Sequence, residues 1–224
     1  QLQDLTQEIT HRTLIQEIAS MAASSLDARK VLSVAASRLV ETLGVDHCAI
    51  VLFDPERMEG LVEAEFPVQN SVGLRFDLKT YPVFSRLLET RKPISISDVE
   101  TETILEPMRN LLAMAGVRSL LLVPMMLQDS VIGSIGLEVR GEKRAFTAPE
   151  IELVQAVADQ LAVAIQNARL YQEIQTRYHQ LVSLQDSIRV LNSYLDLEGM
   201  LSLLAGLLIG LMDADRSAVF LFDE

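Results

Sequence analysis

The chain repeats part of its own sequence, and this repeat limits the folds open to it more than any other feature. Residues 26–54 align without a gap to residues 195–223, at a constant offset of 169 positions (195 − 26 = 169). The match continues through a helix pattern, a turn and a strand pattern, which one accidental amphipathic helix would not produce. A period this long indicates tandem domains, because solenoid repeats are about 20–50 residues long. The identical pairs are Leu26/Leu195, Asp27/Asp196, Leu32/Leu201, Ser33/Ser202, Ala36/Ala205, Leu39/Leu208, Asp46/Asp215, Ala49/Ala218, Leu52/Leu221, Phe53/Phe222 and Asp54/Asp223.

The repeat divides the chain into four segments. Residues 1–24 are an N-terminal helix, and residues 25–171 are one complete domain. Residues 172–194 are a coiled-coil-like connector helix, and residues 195–224 are the truncated start of a second domain of the same kind. The element order of the complete domain predicts an α/β fold of the α+β type with a six-stranded, mostly antiparallel sheet. Terminal helices cover one face of this sheet, and short helices and loops cover the other.

Local signals set the bounds of the predicted elements. Asp27 is a helix N-cap, Gly44 ends that helix, and Gln128-Asp129-Ser130 is the tight turn of a hairpin. The predicted helices cover residues 2–24, 27–44, 83–90 and 104–115, and the predicted strands cover residues 48–53, 60–66, 73–78, 94–97, 119–127 and 131–139.

The segment after the last strand carries the clearest helix start in the chain. Thr147 and Glu150 form a capping box, and Phe146 and Ile151 fit the hydrophobic staple around it. No glycine or proline occurs from residue 150 to residue 198. A helix that starts here can run for more than about 40 residues, which at about 1.5 Å per residue exceeds the width of its own domain.

The second half of this helix has the a/d spacing of a coiled coil. Gln185 and Asn192 are polar members of the seam, where such residues lower stability but fix register. We expect a packing change in the domain to travel along this helix as a rotation or register shift, with these two residues as its switch. The seam consists of Tyr171, Ile174, Tyr178, Leu181, Gln185, Ile188, Asn192 and Leu195.

Composition excludes several classes of partner. The formal net charge of −12 argues against a nucleic-acid footprint and against an anionic membrane surface. The uncharged run of residues 200–212 is 13 residues long, whereas a membrane span needs about 20. The single cysteine, Cys48, excludes an intramolecular disulfide and fits a reducing compartment. With no signal-peptide pattern at the start, we expect a cytoplasmic location.

Four motifs follow one another along residues 14–171. They are Arg91–Asp98 with Lys92 inserted, Ser119–Pro124, Ile132–Gly136, and Phe146–Glu150 with a last helix reaching Asn167-Ala168. In this order and spacing they make residues 14–171 resemble a GAF domain, and the resemblance recurs, truncated, over residues 183–224. GAF domains are regulatory modules of sensor kinases, cyclases, phosphodiesterases and transcription activators, often in tandem and commonly dimeric through their terminal helices. The resemblance therefore implies a homodimer and a multidomain signalling protein of the bacterial sensor histidine kinase type.

The same resemblance places a small-molecule pocket over residues 73–116, although these residues could equally fill a ligand-free core. Asp98 is either a polar group at the pocket edge or a cap of the next helix. No cofactor is evident from the sequence, and a ligand would be a small molecule of unspecified identity. The implied pocket residues are Phe76, Tyr81, Pro82, Val83, Phe84, Asp98, Met108 and Leu112.

Neither a chromophore nor a metal is indicated. Bilin-binding relatives carry a cysteine after the fourth strand, whereas Cys48 lies in the first strand and reads as a small buried hydrophobe. Cyclic-nucleotide-binding relatives carry an Asn-Lys pair and an acidic pair that this chain lacks. His11, His47 and His179 have no second histidine or cysteine nearby and read as solvated or packed side chains.

Three functions remain for experiment to separate. The first is a sensory and dimerisation module without catalytic residues, because no phosphate loop, Gly-x-Ser-x-Gly or His-Glu-x-x-His motif occurs. The second is a ligand-free spacer that sets dimer geometry, and the third is a small enzyme. We also expect residues 196–224, which are very apolar, to pack against another chain or to be swapped into one.

Overall fold

The computed structural model describes residues 2–195, 197–212, 216–218 and 220. The chain forms two compact units, Gln1–Leu170 and Tyr171–Glu224, which are taken separately below. The first unit contains α1 (Leu2–Ser24), α2 (Ala28–Leu43), β1 (His47–Asp54), β2 (Glu59–Phe66), β3 (Arg75–Asp77), a 3-10 turn (Leu78–Thr80), α3 (Pro82–Thr90), β4 (Ile94–Ile96), a 3-10 segment (Thr103–Met108), α4 (Arg109–Met114), β5 (Val117–Leu127), β6 (Ser130–Arg140) and the start of α5 (Ala148–Leu195).

The six strands form one sheet in the order β3-β2-β1-β6-β5-β4, and every neighbouring pair is antiparallel. The sequence prediction of a six-stranded, mostly antiparallel sheet is confirmed. β1 and β6 are the central strands, and their register places His47 opposite Glu138 and Val51 opposite Ser134. The predicted hairpin joins β5 and β6, with Gln128 at a positive φ of 52° in its turn.

Alternation of side chains along the strands gives the sheet two buried faces. On one face, Cys48 and Ile50 of β1 and Ile135 of β6 pack against α1, α2 and the first part of α5. On the other face, Val51 and Phe53 of β1 join a smaller core built with α3, α4 and the 3-10 segments. The two layers expected from the sequence, terminal helices on one side and short helices on the other, are both present.

The predicted caps form as the sequence indicated. The Lys30 amide donates to the Asp27 carboxylate (3.2 Å), and Gly44 ends α2 with its amide donating to the carbonyl of Val40 (2.9 Å). Gly44 adopts φ 60°, a left-handed conformation that glycine enters without the strain of a Cβ. These two caps fix the length of the helix that covers β1 and β2.

Two predicted elements differ from the structure. The helix expected over residues 104–115 is split into a 3-10 segment, Thr103–Met108, and the short helix α4. Pro107 explains the split, because a proline inside a helix removes a backbone donor and clashes with the preceding turn. The third strand is Arg75–Asp77 and is shorter than the expected 73–78, because a turn that begins at Leu78 replaces its end.

The second unit contains the rest of α5 and a further helix, α6 (Leu197–Met212). The single helix α5 has 48 residues, in agreement with the long helix predicted from the capping box. The hydroxyl of Ser217 donates to the carbonyl of Ala205 (2.8 Å). Of the strand that the repeat predicts over residues 217–222, residues 219, 221 and 222 lie outside the described part of the chain. Within the described part of the chain, no helix is long and apolar enough to cross a membrane.

Candidate functional site

The apolar residues of the predicted pocket meet in the smaller core, between the sheet and α3 and α4. Pro82 lies at their rim, exposed at the first position of α3. The structure thus gathers these residues on one face of the sheet, and their ligand-binding role remains a prediction. The buried members are Val83, Phe84 and Leu112, and the half-buried members packed against them are Phe76, Tyr81 and Met108.

Four aromatic rings fill the part of this core nearest to β2 and β3. The ring centroids of Phe76 and Phe84 are 5.2 Å apart, those of Phe76 and Tyr81 are 5.8 Å apart, and those of Phe53 and Phe84 are 5.9 Å apart. Phe76 sits directly over Gly60, its partner on β2, where a Cβ atom would lie only 2.7 Å from the ring. The glycine therefore creates the space in which the aromatic cluster packs.

Asp98 lies at the edge of this layer and makes an ion pair. Its carboxylate is 2.6 Å from the ammonium of Lys143 and 3.9 Å from the guanidinium of Arg118. The hydrogen bond from Lys143 is the main reason that the pKa of Asp98 is lowered, with Arg118 adding to it. Asp98 also accepts from the amide of Glu100 (3.2 Å), so it caps a local turn. The predicted cap of the next helix is wrong, because the residue before the 3-10 segment is Glu102.

A buried cluster of ionisable residues on the same face of the sheet was missed by the sequence reading. The Nδ1 atom of His47 lies 3.3 Å from Glu138, and its Nε2 atom lies 3.5 Å from Glu65. Glu138 also accepts from Arg140 (3.3 Å). Burial raises the pKa of Glu138, but the adjacent His47 and Arg140 outweigh it and the net direction is down. The cluster therefore holds ionised carboxylates inside the domain.

Glu65 anchors the loop between β2 and β3. One of its carboxylate oxygens accepts from the amides of Gln69 and Ser71, each at 2.9 Å, and the other accepts from the hydroxyl of Ser71. Burial raises the pKa of Glu65. The hydrogen bonds from Ser71 and Gln69, together with the nearby His47, lower it by more than burial raises it, so the net shift is downward. A carboxylate with this many donors stays ionised and holds the loop on the sheet.

The strand positions between the aromatic cluster and the ionisable cluster carry small residues. Ala49 and Gly136 are paired across the two central strands and are partly exposed on this face. Ser134, next along β6, is buried, and its hydroxyl has no hydrogen-bond partner among the described residues. A buried hydroxyl without a partner costs free energy, so this position is suited to a hydrogen bond with a guest molecule.

A separate cavity of about 590 Å³ lies at the other face of the domain, between α1 and the start of α5. It is a groove with both charged and apolar walls, and one of its residues is His11, one of the three histidines considered in the sequence. The lining residues are Glu8, His11, Arg12, Ile15, Gln16, Pro149, Glu152 and Leu153.

The structure places Cys48 in the core and His179 on the surface. Cys48 is fully buried against the terminal helices, and burial raises the pKa of its thiol strongly, as expected for a packing cysteine. His179 is exposed beside Tyr178. Among the described residues, no group of three or more potential metal ligands comes together.

The seam residues of α5 are exposed over the part of the helix that can be described. The apolar members are 43% to 63% exposed, which is high for side chains of this type. Gln185 is exposed as well, whereas the side chains of Ile188, Asn192 and Leu195 lie outside the described residues. The exposed apolar members are Tyr171, Ile174, Tyr178 and Leu181.

Comparison with known families places this geometry in context. Residues 27–165 match the sequence model of the GAF domain. In a search of solved structures, the phycocyanobilin-bound GAF domain from a cyanobacterial phytochrome matches with 26% identity and a TM-score of 0.62, covering 72% of this chain and 96% of that one.

Two further solved structures share the fold. A methyl-accepting chemotaxis protein matches at 23% identity with a TM-score of 0.60, covering 69% of this chain and 98% of that one. The free methionine-R-sulfoxide reductase from Neisseria meningitidis, in complex with its substrate, matches at 16% identity with a TM-score of 0.59, covering 72% of this chain and 91% of that one. The fold is therefore found in signalling proteins and also in an enzyme.

Proposed function

This chain belongs to the GAF domain family, and we propose that it is a non-catalytic sensory and dimerisation module of a signal-transduction protein. The observation that carries the proposal is the placement of two features on opposite faces of one sheet. The aromatic layer of α3 and α4 covers one face, and the first part of α5 packs on the other. A change in the first layer can therefore reach α5 through the strands that separate them.

We propose that a small molecule binds in the layer between the sheet and α3 and α4. The phytochrome GAF domain, which has a similar structure and is 26% identical in sequence to this chain, binds phycocyanobilin. Covalent attachment of such a pigment is not part of the proposal, since Cys48 faces the opposite layer. The apolar aromatic wall, the small residues Ala49 and Gly136, and the unpartnered hydroxyl of Ser134 favour a compact ligand with an apolar body and one polar group.

The second part of the proposal is a homodimer through the terminal helices. Four apolar side chains at heptad spacing are exposed on α5, and a second copy of the same helix offers the matching seam. The groove between α1 and α5 has apolar walls at Ile15 and Leu153, which a partner helix would cover. The output domain would be of the sensor histidine kinase type, in a two-component system in the cytoplasm.

The seam also contains the proposed switch. Gln185 and Asn192 occupy a positions, where polar residues lower the stability of the seam and define its register through the partners that they find. Replacing both with leucine should raise dimer stability and remove the polar contacts that distinguish one register from another. Full-length protein carrying both substitutions should then lose its ligand-dependent change in output, and unchanged output would contradict the switch.

A ligand-free spacer is the alternative, and the aromatic cluster is the observation that favours it. Its rings already pack at ordinary contact distances, with centroids 5.2 to 6.4 Å apart, so they can fill this layer without a guest. A small enzyme is the third reading. The methionine-R-sulfoxide reductase match shows the fold alone at 16% identity, and the buried Cys48 is unsuited to thiol chemistry.

The experiment combines thermal unfolding and native mass spectrometry with a panel of nucleotides, amino acids and small organic acids. A bound ligand at 100 times its Kd adds about 2.7 kcal/mol of stability, which raises Tm by several degrees. The substitution Tyr81→Ala, in the half-buried pocket wall, should abolish the shift. His179→Ala, which removes an exposed ring on α5 outside the a/d seam, is the control and should keep it. A stable dimer with no shift for any compound would favour the spacer.

A further inference from the structure

Two contacts join the rim of the candidate pocket to the segment that precedes α5. The hydroxyl of Ser119 donates to the carbonyl of Ser97 (2.8 Å) and accepts from the amide of Arg144 (2.7 Å). Beside it, the ammonium of Lys143 lies 2.6 Å from the carboxylate of Asp98. Ser97, directly after β4, is thus linked to Arg144 through the buried Ser119. The next residue, Asp98, is paired directly with Lys143.

Arg144 extends this connection to the helical layer. Its Nη1 atom donates to the carbonyls of Leu43 (2.8 Å) and Gly44 (3.2 Å), at the end of α2. Its Nη2 atom donates to the carboxylate of Glu150 in the first turn of α5, and its guanidinium lies 5.4 Å from the ring centroid of Phe146. One side chain therefore sets the start of α5 against α2.

The segment between β6 and α5 is held by contacts along its length. It comprises residues 141–147, and contacts hold it at both ends. The amide of Gly141 donates to the carbonyl of Gly116 (3.2 Å), and Phe146 is buried in the larger core. The amide and hydroxyl of Thr147 both donate to Glu150, which completes the start of the helix. Because the side chain of Arg144 binds Glu150 directly, a movement of residue 144 acts on the first turn of α5.

We propose that Lys143 and Arg144 are positioning residues that couple the pocket rim at Ser97 and Asp98 to the start of α5. This inference rests on the proposed sensory function. The two states are the Lys143–Asp98 pair formed and the same pair broken, and a ligand that captures Asp98 or moves the end of β4 shifts the balance between them. Breaking the pair leaves Arg144 held only by Ser119 and the helical layer, so the first turn of α5 opens more often.

The test is amide hydrogen exchange on the chain without any ligand. Lys143→Met removes the ion pair with Asp98. Ser119→Ala removes the hydroxyl that binds both Ser97 and Arg144. Both should speed exchange at the amides of residues 151–156 by roughly threefold to tenfold. Exchange in the central strand β1 should stay as in the wild type. Lys30→Met is the matched control, because this exposed lysine makes no ion pair within the described residues.

Two outcomes would overturn the coupling. The first is wild-type exchange at residues 151–156 in Lys143→Met. The second is an equal rise in exchange at β1, since that would mean a general loss of stability and no specific link to α5. A negative ligand screen would instead count against the proposed sensory function, and it would leave this measurement unaffected because the measurement uses no ligand.

Discussion

The Nδ1 atom of His47 lies 3.3 Å from the carboxylate of Glu138, directly across the two central strands of the sheet. On the other side of the same ring, Glu65 lies 3.5 Å from Nε2 and holds the β2–β3 loop through Gln69 and Ser71. A carboxylate inside a domain stays ionised when hydrogen-bond donors surround it, as the amides of Gln69 and Ser71 surround Glu65. This cluster is therefore a structural support of the loop beside the candidate pocket.

The first prediction concerns the pH dependence that Glu65 gives to stability. Its folded pKa lies below the ordinary value, so its stabilisation is present above about pH 4.5 and is lost as the pH falls further. Glu65→Gln should lower the free energy of unfolding by about 1–3 kcal/mol at pH 7. It should also reduce the further fall of this free energy below about pH 4.5. Urea denaturation from pH 7 to pH 3 measures both. Glu106→Gln, on an exposed 3-10 segment, should keep the wild-type slope.

The second prediction concerns the start of α5. Glu150 accepts from the Thr147 amide (2.7 Å) and from its hydroxyl (3.0 Å), and it pairs with Arg144. Glu150→Ala should lower the unfolding free energy by about 1–2 kcal/mol, because two donors and an arginine lose their acceptor. Chemical denaturation gives the value, and the neighbouring exposed Glu152→Ala should change it by less than about 0.5 kcal/mol. Equal effects of the two substitutions would contradict this role.

The third prediction compares two glycines of β6. A Cβ on Gly133 would lie 2.4 Å from the carbonyl oxygen of Val51 and 2.5 Å from the end of the Met125 side chain. A backbone atom cannot move aside, so Gly133→Ala should destabilise the domain by about 1–3 kcal/mol or prevent folding. Gly136→Ala meets a Leu122 methyl at 3.2 Å and the carbonyl oxygen of Ala49 at an ordinary 3.7 Å, so it should be milder. Thermal unfolding of both variants decides, and a milder effect at residue 133 would refute the argument.

The fourth prediction concerns the α5 seam. Leu181 is 61% exposed in the single chain and lies at a heptad position beside Tyr178. If the seam forms a homodimer, Leu181→Glu places a charge in it and should weaken the dimer at least about tenfold. Analytical ultracentrifugation measures the constant. Gln180→Glu adds the same charge at the adjacent exposed position off the seam, and it should leave the dimer unchanged.

The elements of the fold could be predicted because each depends on a local signal. Short patterns mark where helices begin and end. They are the cap at Asp27, the glycine at residue 44, and the capping box at Thr147 and Glu150. The strands β1, β5 and β6 are long apolar runs with clear turns between them. The helix over residues 104–115 failed because Pro107 outweighed an otherwise helical pattern. Single residues that break backbone hydrogen bonds are weighed poorly by periodicity alone.

The candidate site could be predicted only in its apolar part. Family resemblance supplied the aromatic wall, and the structure gathers its residues in one core. The His47, Glu65 and Glu138 cluster gave no such signal, because its members are far apart in the sequence and each reads alone as an ordinary surface residue. Strand pairing brings them together, and strand register is not encoded within any one strand. The contacts of Arg144 were missed for the same reason.

Because α5 is one continuous helix from Ala148 to Leu195, any residue added to it changes the direction in which the following side chains face. Each residue advances the helix by about 100°, so adding two residues between positions 172 and 194 rotates everything downstream by about 200°. Adding seven residues restores the facing direction to within about 20°. Insertions of seven or eleven residues, each of which leaves a rotation of about 20°, should therefore preserve function better than an insertion of two. For the part of α5 beyond such an insertion, the direction in which its side chains face then matters more than the added length in ångströms.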